Sequence, residues 1–277
     1  MDRAVRLGRI AYVNCYPVYG AIDRGLVHVP AELVTGTPAE LNDLLAAGEL
    51  DVSVVSAVEY ARNAAAYHLL PDLAISCDGP VRSVLLFSHR EAKALDGGTI
   101  LLSASSRTSV HLLELLCQDV WGVRPRFAEA RAEAQDLPGL RGLPHDAVLV
   151  IGDAALLLAA QGRYAHCYDL GAAWKTWTGL PFVFAVWAAR REANRARVEA
   201  IHQSVLESRA WGLAHLDALA QDAAVATGME AAACRDYLSG LDYALTFRHL
   251  EGLTSFLRRL AARGTVREGT LAFLSVA

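Results

Sequence analysis

The sequence has no surplus of positive charge, no long apolar run and no cluster of metal-binding residues. Lys and Arg number 26 against 30 Asp and Glu, a formal charge of −4. The arginine pairs Arg190-Arg191 and Arg258-Arg259 stand isolated, whereas a nucleic-acid binder gathers basic residues on one face. Nucleic acid is not an expected partner. No stretch approaches the roughly 20 apolar residues of a membrane span; Ala147 to Ile151, the longest near the middle, stops at Gly152-Asp153. Met1-Asp2-Arg3 leads straight into the alternating Val5-Arg6-Leu7-Gly8-Arg9-Ile10-Ala11, with none of the apolar core of a secretory signal. No membrane association is expected, and the expected location is the cytoplasm.

Chemistry-bearing motifs are scarce as well. Cys15, Cys77, Cys117, Cys167 and Cys234 are odd in number, scattered and without a C-x-x-C pair, the pattern of reduced thiols, some of them core fillers. Without H-E-x-x-H or clustered His/Cys spacing, no catalytic metal is expected. Without G-x-G-x-x-G or a P-loop, a nucleotide cofactor has no handle, and there is no G-x-S-x-G nucleophile elbow. The nine histidines are dispersed, with His28, His68, His89 and His145 reading as surface or loop residues.

What the chain does have is apolar material, 53% of 277 residues. That is enough for roughly two domains of about 150 residues. Strand and helix patterns alternate through the first two thirds. Val5 to Val13, Glu32 to Thr35 and Asp51 to Val55 read as strands, with a short helix over Tyr19 to Arg24. Thr37-Pro38-Ala39-Glu40 and Ser56-Ala57-Val58-Glu59 read as capping boxes. Val84 to Ser88 is another strand, and the rhythm restarts with Thr99 to Ser103, a helix over Ser106 to Trp121, the strand Val148 to Ile151 and a helix from Gly152-Asp153. After the aromatic strand Phe182 to Trp187 the chain turns helical, over Glu192 to Gly212, Asp217 to Ala226, Glu230 to Leu238 and Leu250 to Ala262. The βαβα order predicts parallel strands with helices on both faces. Two α/β lobes are expected, residues 1–88 and 188–277 in one and 89–187 in the other, with a ligand cleft between them.

Ligands in open α/β sheets bind beyond the carboxyl ends of strands, which directs attention to the polar residues there. Asn14 follows the first strand; its amide suits either a turn cap or hydrogen bonds to a ligand. Ser56, Ser106 and Asp153 each stand at an expected N-cap after a strand. Helix N-termini offer free N–H groups to carboxylates, although the charge of Asp153 suits a cap or a hydroxyl partner instead. Ser103-Ala104-Ser105-Ser106-Arg107-Thr108-Ser109 is the most polar strand-to-helix corner. Ser105, Ser106, Arg107 and Thr108 supply hydroxyls, first-turn amides and a guanidinium, the outline of an anion cradle. Ser83 is unremarkable on residue chemistry alone.

Several of these segments carry a resemblance: Tyr12-Val13-Asn14-Cys15-Tyr16-Pro17, Gly48-Glu49-Leu50-Asp51-Val52, Ser56-Ala57-Val58-Glu59-Tyr60, Arg82-Ser83-Val84, Ser106-Arg107-Thr108-Ser109, Ile151-Gly152-Asp153-Ala154-Ala155-Leu156, Asp169-Leu170-Gly171 and Trp177-Thr178-Gly179-Leu180-Pro181-Phe182-Val183-Phe184-Ala185. In this order they resemble the chorismate dehydratases of the futalosine route to menaquinone. That family has a two-lobed, periplasmic-binding-protein-like (type II) α/β fold. The sister dihydroxynaphthoate synthases favour a Ser-Pro-Asn-Asp-like start and a Leu-Pro-Leu-Pro segment, where this chain has Asn14-x-x-Pro17 and Leu180-Pro181-Phe182. The other alternative is a non-catalytic carboxylate-binding protein of the same fold.

The resemblance implies that Asn14 and Ser83 flank the reacting part of the substrate and that the helix N-termini at Ser56 and Ser106 hold carboxylates. The implied reaction is a cofactor-free dehydration of chorismate, a small dicarboxylate, to 3-[(1-carboxyvinyl)oxy]benzoate. The ring hydrogen on the ether-bearing carbon leaves as a proton and the adjacent hydroxyl departs. That hydrogen is γ to the conjugated ring carboxylate, so the carbanion delocalises onto it, and aromatisation drives the step. Neither Asn14 nor an unassisted Ser83 accepts a proton at neutral pH. The expected acceptor is the substrate's own enolpyruvyl carboxylate, with Asp153 as the side-chain alternative.

Overall fold

In the computed structural model, which describes residues 4–140, 142–269 and 271–275, strands are interspersed with helices until residue 190 and only helices follow. The first stretch holds β1 (Arg6–Ile10), a 3-10 turn (Val13–Cys15), α1 (Tyr16–Asp23), β2 (Glu32–Gly36), α2 (Pro38–Ala47), β3 (Val52–Ser56), α3 (Ala57–Arg62) and β4 (Tyr67–Cys77). Next come β5 (Val84–Ser88), β6 (Thr99–Ser103), α4 (Thr108–Leu115), β7 (Arg126–Ala130), α5 (Leu137–Leu140), β8 (Ala147–Ile151), α6 (Gly152–Ala160), β9 (His166–Asp169) and α7 (Leu170–Thr178). The last stretch is β10 (Phe182–Arg190), α8 (Arg195–Ala214), α9 (Leu216–Thr227), α10 (Ala231–Ser239) and α11 (Phe247–Ala262). Two compact units result, one of residues 1–76 and 183–277 and the other of residues 77–182.

The first unit is built on a sheet of order β2-β1-β3-β10-β4. Its inner strand β3 is buried at every position, as a strand covered on both faces must be. Thr37 and Glu40 form the expected capping box on α2, with Thr37 N donating to Glu40 Oε2 at 2.8 Å; such a cap stabilises by about 1 kcal/mol. Trp187 Nε1 on β10 donates to Tyr19 Oη at 3.0 Å, and Tyr19 Oη donates to the Gly8 carbonyl at 3.3 Å. This buried chain pins α1 to the sheet. From outside, α8 meets α1 at Gly212, where a Cβ would lie 2.0 Å from the Pro17 carbonyl oxygen. Only glycine permits that approach.

The second unit has a sheet of order β7-β6-β8-β5-β9, with β8 and β5 wholly buried. Leu85, Phe87, Leu101, Val148, Val150, Ala154 and Leu158 fill its core. Trp174, fully buried on α7, donates Nε1 to the Pro181 carbonyl at 3.1 Å and packs edge-on against Phe182.

Three expectations need correction. The sheets are mixed rather than parallel. β1 runs parallel to β2 and β3, and β6 to β7 and β8, but β10 opposes β3 and β5 opposes β8 and β9. Neither β10 nor β5 is reached through a crossover helix from its neighbour, the connection that compels parallel pairing. Pairing also sets Val84–Ser88 in the 77–182 unit and Phe182–Arg190 in the sheet of the other unit, whereas the expected boundaries at 88 and 187 had them exchanged. Finally, β4, β7 and β9 were not foreseen. All three are edge strands, where apolar runs are not required, and β4 holds Pro71 and a positive φ of 56° at Asp72, both breakers of a strand pattern.

Candidate active site

In the first unit, the carboxyl ends of β1 and β3 lie side by side, in the parallel register Leu7 to Val52 and Gly8 to Ser53. Asn14 lies four residues beyond the end of β1, and Ser56 is the last residue of β3. Asn14 sits in the middle of the Val13–Cys15 turn, and neither this turn nor α1 has a side-chain cap. The Asn14 Oδ1 atom is buried and makes no hydrogen bond. A capping role is therefore not the one it fills. Leaving a buried acceptor unsatisfied costs about 1–3 kcal/mol, and such atoms in a native fold mark strain or function.

Ser56 is different. Its Oγ caps α3 by accepting from Glu59 N at 3.2 Å and also accepts from Asn42 Nδ2 at 3.2 Å, while Ser56 N donates to Asn42 Oδ1 at 3.0 Å. Asn42 is fully buried and is not among the residues expected at the site, although a polar residue between Leu41 and Leu45 on the buried face of α2 is a signal of it. The expected capping box at Ser56 is only half present. Glu59 turns inward instead, its Oε1 accepting from Asn63 Nδ2 at 2.6 Å and Tyr67 Oη at 3.3 Å.

In the second unit, one edge of the sheet gathers the carboxyl ends of β6, β8 and β9 and the amino end of β5. The registers place Leu102 opposite Leu149, Ile151 opposite Val84 and Asp169 opposite Leu85. Ser103, Gly152-Asp153, Ser83 and Asp169 consequently line this edge, with Ser103 ending β6 and Ser83 just before β5, two strands away in the sheet. The amino ends of α4, α6 and α7 lie there too.

Ser83 is 3% exposed. Its Oγ donates to the Val81 carbonyl at a long 3.5 Å, and its own carbonyl accepts from Gly152 N at 2.8 Å. Arg82 before it and Gly152 opposite it both hold positive φ, 63° and 62°. For Arg82 that conformation is costly, and strained residues of this kind cluster at functional sites.

Two N-cap expectations fail. α4 starts at Thr108 with Arg107, not Ser106, in the cap position, and no side chain caps it. Ser106 N instead closes a turn onto the Ser103 carbonyl at 3.2 Å. α6 is preceded by Ile151, which leaves Asp153 inside its first turn rather than capping it. The serines between β6 and α4 spend two extra residues on a turn, and Gly152 enters its helix directly at positive φ. Ser105 Oγ donates to Glu133 Oε1 at 2.5 Å, while Thr108 is buried and Arg107 half-buried. Ser103 Oγ is buried without a hydrogen-bond partner. It ends β6, and Asn14 Oδ1, also unpartnered, lies beyond the end of β1. Burial, and next the Asp169 carboxylate, push the Cys77 thiol up to about 12, so it is neutral at physiological pH and no nucleophile.

A family model described as menaquinone biosynthesis matches residues 5–262. A Thermus thermophilus protein named chorismate dehydratase is 34% identical over 238 residues, 80% of this chain and 84% of that one. A 1,4-dihydroxy-6-naphtoate synthase of the same organism is 28% identical over 217 residues, 76% of this chain and 75% of that one. Among solved structures, the alkanesulfonate-binding protein of Xanthomonas axonopodis pv. citri superposes with a TM-score of 0.71 at 14% identity, covering 98% of this chain and 97% of that one. That likeness establishes the fold as periplasmic-binding-protein-like and nothing more. Among the described residues no helix is long and apolar enough to cross a membrane.

Proposed function

The chain belongs to the menaquinone biosynthesis family, and we propose that it is a chorismate dehydratase, forming 3-[(1-carboxyvinyl)oxy]benzoate and water. The observation that carries the site assignment is the unpartnered, buried Oδ1 of Asn14. Chorismate is a dianion whose only strong hydrogen-bond donor is its ring hydroxyl, on the carbon next to the one bearing the enolpyruvyl ether. One amide offers an acceptor and two donors. Asn14 therefore meets that hydroxyl with Oδ1 and orients the enolpyruvyl carboxylate with Nδ2.

That carboxylate reaches back over the ether to take the proton from the ether-bearing carbon. Electron density moves toward the ring carboxylate, the carbon–oxygen bond to the hydroxyl breaks, and the ring becomes aromatic. Ser83 donates a hydrogen bond to the departing hydroxyl, which takes up the proton held by the enolpyruvyl carboxylate and leaves as water. Carboxylate charge is met by the unpaired hydroxyl of Ser103, the half-buried guanidinium of Arg107 and the amino end of α4. Donors placed where charge develops supply the largest single catalytic contribution in many enzymes. Ser105 and Ser106 support this corner through their bonds to Glu133 and to the Ser103 carbonyl. Ser56, Thr108 and Asp153 complete the binding set. On this reading the enzyme works in the cytoplasm, where its five cysteines, none in a disulfide, meet reducing conditions.

The reading is tested by following the ultraviolet spectrum of chorismate held in large excess over the protein. Steady replacement of the cyclohexadiene by an aromatic spectrum over many equivalents is expected. A change that stops at one equivalent would mark a solute-binding protein instead. Intact chorismate alongside turnover of a naphthoate precursor would assign the sister activity.

A further inference from the structure

We infer that Asp169 is a positioning residue that holds Ser83 in place through the backbone of Val81 and Arg82; this rests on the role proposed for Ser83. Asp169 ends β9 and caps α7, its Oδ1 accepting from Ala172 N at 3.0 Å. A cap needs no more than that. Yet the same Oδ1 also accepts from Val81 N at 3.1 Å, and Oδ2 accepts from Arg82 N at 2.6 Å, across 87 and 88 residues of sequence. One carboxylate thus gathers three backbone donors, two of them from the segment that delivers Ser83.

What that clamp holds is a conformation the chain would not keep by itself. Arg82 has φ 63°, a region that residues with a Cβ seldom occupy. The charge-assisted bond to Arg82 N is short, as bonds to an ionised acceptor are. The segment also lies flat on the first turn of α7. A Cβ at Gly171 would fall 2.6 Å from Cys77 Sγ and 2.7 Å from the Gly79 carbonyl oxygen. On its other side Ser83 is fixed by the Gly152 N–H on its carbonyl. Asp169 and Gly152 therefore bracket Ser83, and the strained residue between Asp169 and Ser83 sets the direction in which Ser83 leaves the sheet.

Asp169→Ser separates the clamp from the cap. Serine is a strong N-cap and keeps the bond to Ala172 N, but its short hydroxyl gives up Val81 and Arg82. The prediction is a fall in kcat of about tenfold or more, because small misplacements at a reacting centre are costly, with KM within about threefold and a lowered thermal midpoint that leaves the protein folded at the assay temperature. In a Ser83→Ala background the same substitution should change kcat by less than about twofold, since residues acting through one group are not additive. Asp169→Asn, which retains one acceptor oxygen, should fall between wild type and Asp169→Ser. Wild-type kcat in a folded Asp169→Ser, or an equal loss in both backgrounds, overturns the inference and leaves the role of Ser83 standing. Wild-type turnover in Ser83→Ala overturns both, and that single variant identifies which has failed.

Discussion

Replacing Asn14 by Ala separates a structural from a functional role because the two predict opposite relations between stability and rate. A capping asparagine would cost about 0.5–2 kcal/mol of stability on removal and leave turnover per folded molecule intact. In the structure Asn14 caps nothing and its Oδ1 is buried without a partner. Truncation therefore relieves a desolvation penalty of about 1–3 kcal/mol, set against roughly 1 kcal/mol of lost packing for a half-buried side chain. The variant should be as stable as wild type or more stable by about 1 kcal/mol, read from urea unfolding midpoints at constant slope. Its kcat should nevertheless fall by 10²-fold or more, about 2.7 kcal/mol of barrier. Product affinity should fall less than rate, since part of the interaction exists only in the transition state. Asn14→Ala with wild-type kcat and a lower unfolding midpoint would refute the reasoning and return Asn14 to a structural part.

Ser56→Ala should behave in the opposite way, losing about 1–3 kcal/mol in urea unfolding because both the α3 cap and the buried Asn42 amide are left unpaired; an unchanged midpoint would contradict this. Asp153→Asn should keep kcat within about tenfold if the substrate carboxylate is the base, whereas a loss above about 10³-fold in folded protein would make Asp153 the proton acceptor. Burial, more than any charge, lowers the pKa of His202, whose Nε2–H donates to the Pro71 carbonyl at 2.8 Å. Between this lowered value and the unfolded value near 6.5 the unfolded chain binds more protons, so stability falls as pH drops through that window. Urea midpoints measured from pH 7.5 to 5 should show this slope, and His202→Gln should flatten it; an identical slope in the variant would count against it.

Much of this was legible in the sequence where local chemistry decided it. Thr37 and Glu40 announced the start of α2, and the uncharged, mostly apolar runs of β3, β5 and β8 announced central strands, because burial on both faces leaves no room for unpaired charge. The edge strands were illegible for the converse reason: β9 reads His-Cys-Tyr-Asp, and only its partner β5 makes it a strand. At the site, Asn14 and the Ser103–Thr108 corner were visible as polar residues after strands. The cap positions at Ser106 and Asp153 were misplaced by one or two residues because turn geometry, not residue type, chose Arg107 and Ile151. Asn42 and Asp169 act over long range. Asp169 caps α7, but nothing in sequence tells that the same carboxylate reaches Val81 and Arg82.

The most direct measurement is the mass of the product after purified protein is incubated with a large molar excess of chorismate. The account predicts conversion of many equivalents to an aromatic dicarboxylate lighter than the substrate by one water, with the enolpyruvyl group retained, and at least 10²-fold slower in Asn14→Ala. Chorismate recovered at unchanged mass, or a product that has lost pyruvate instead of water, would contradict it.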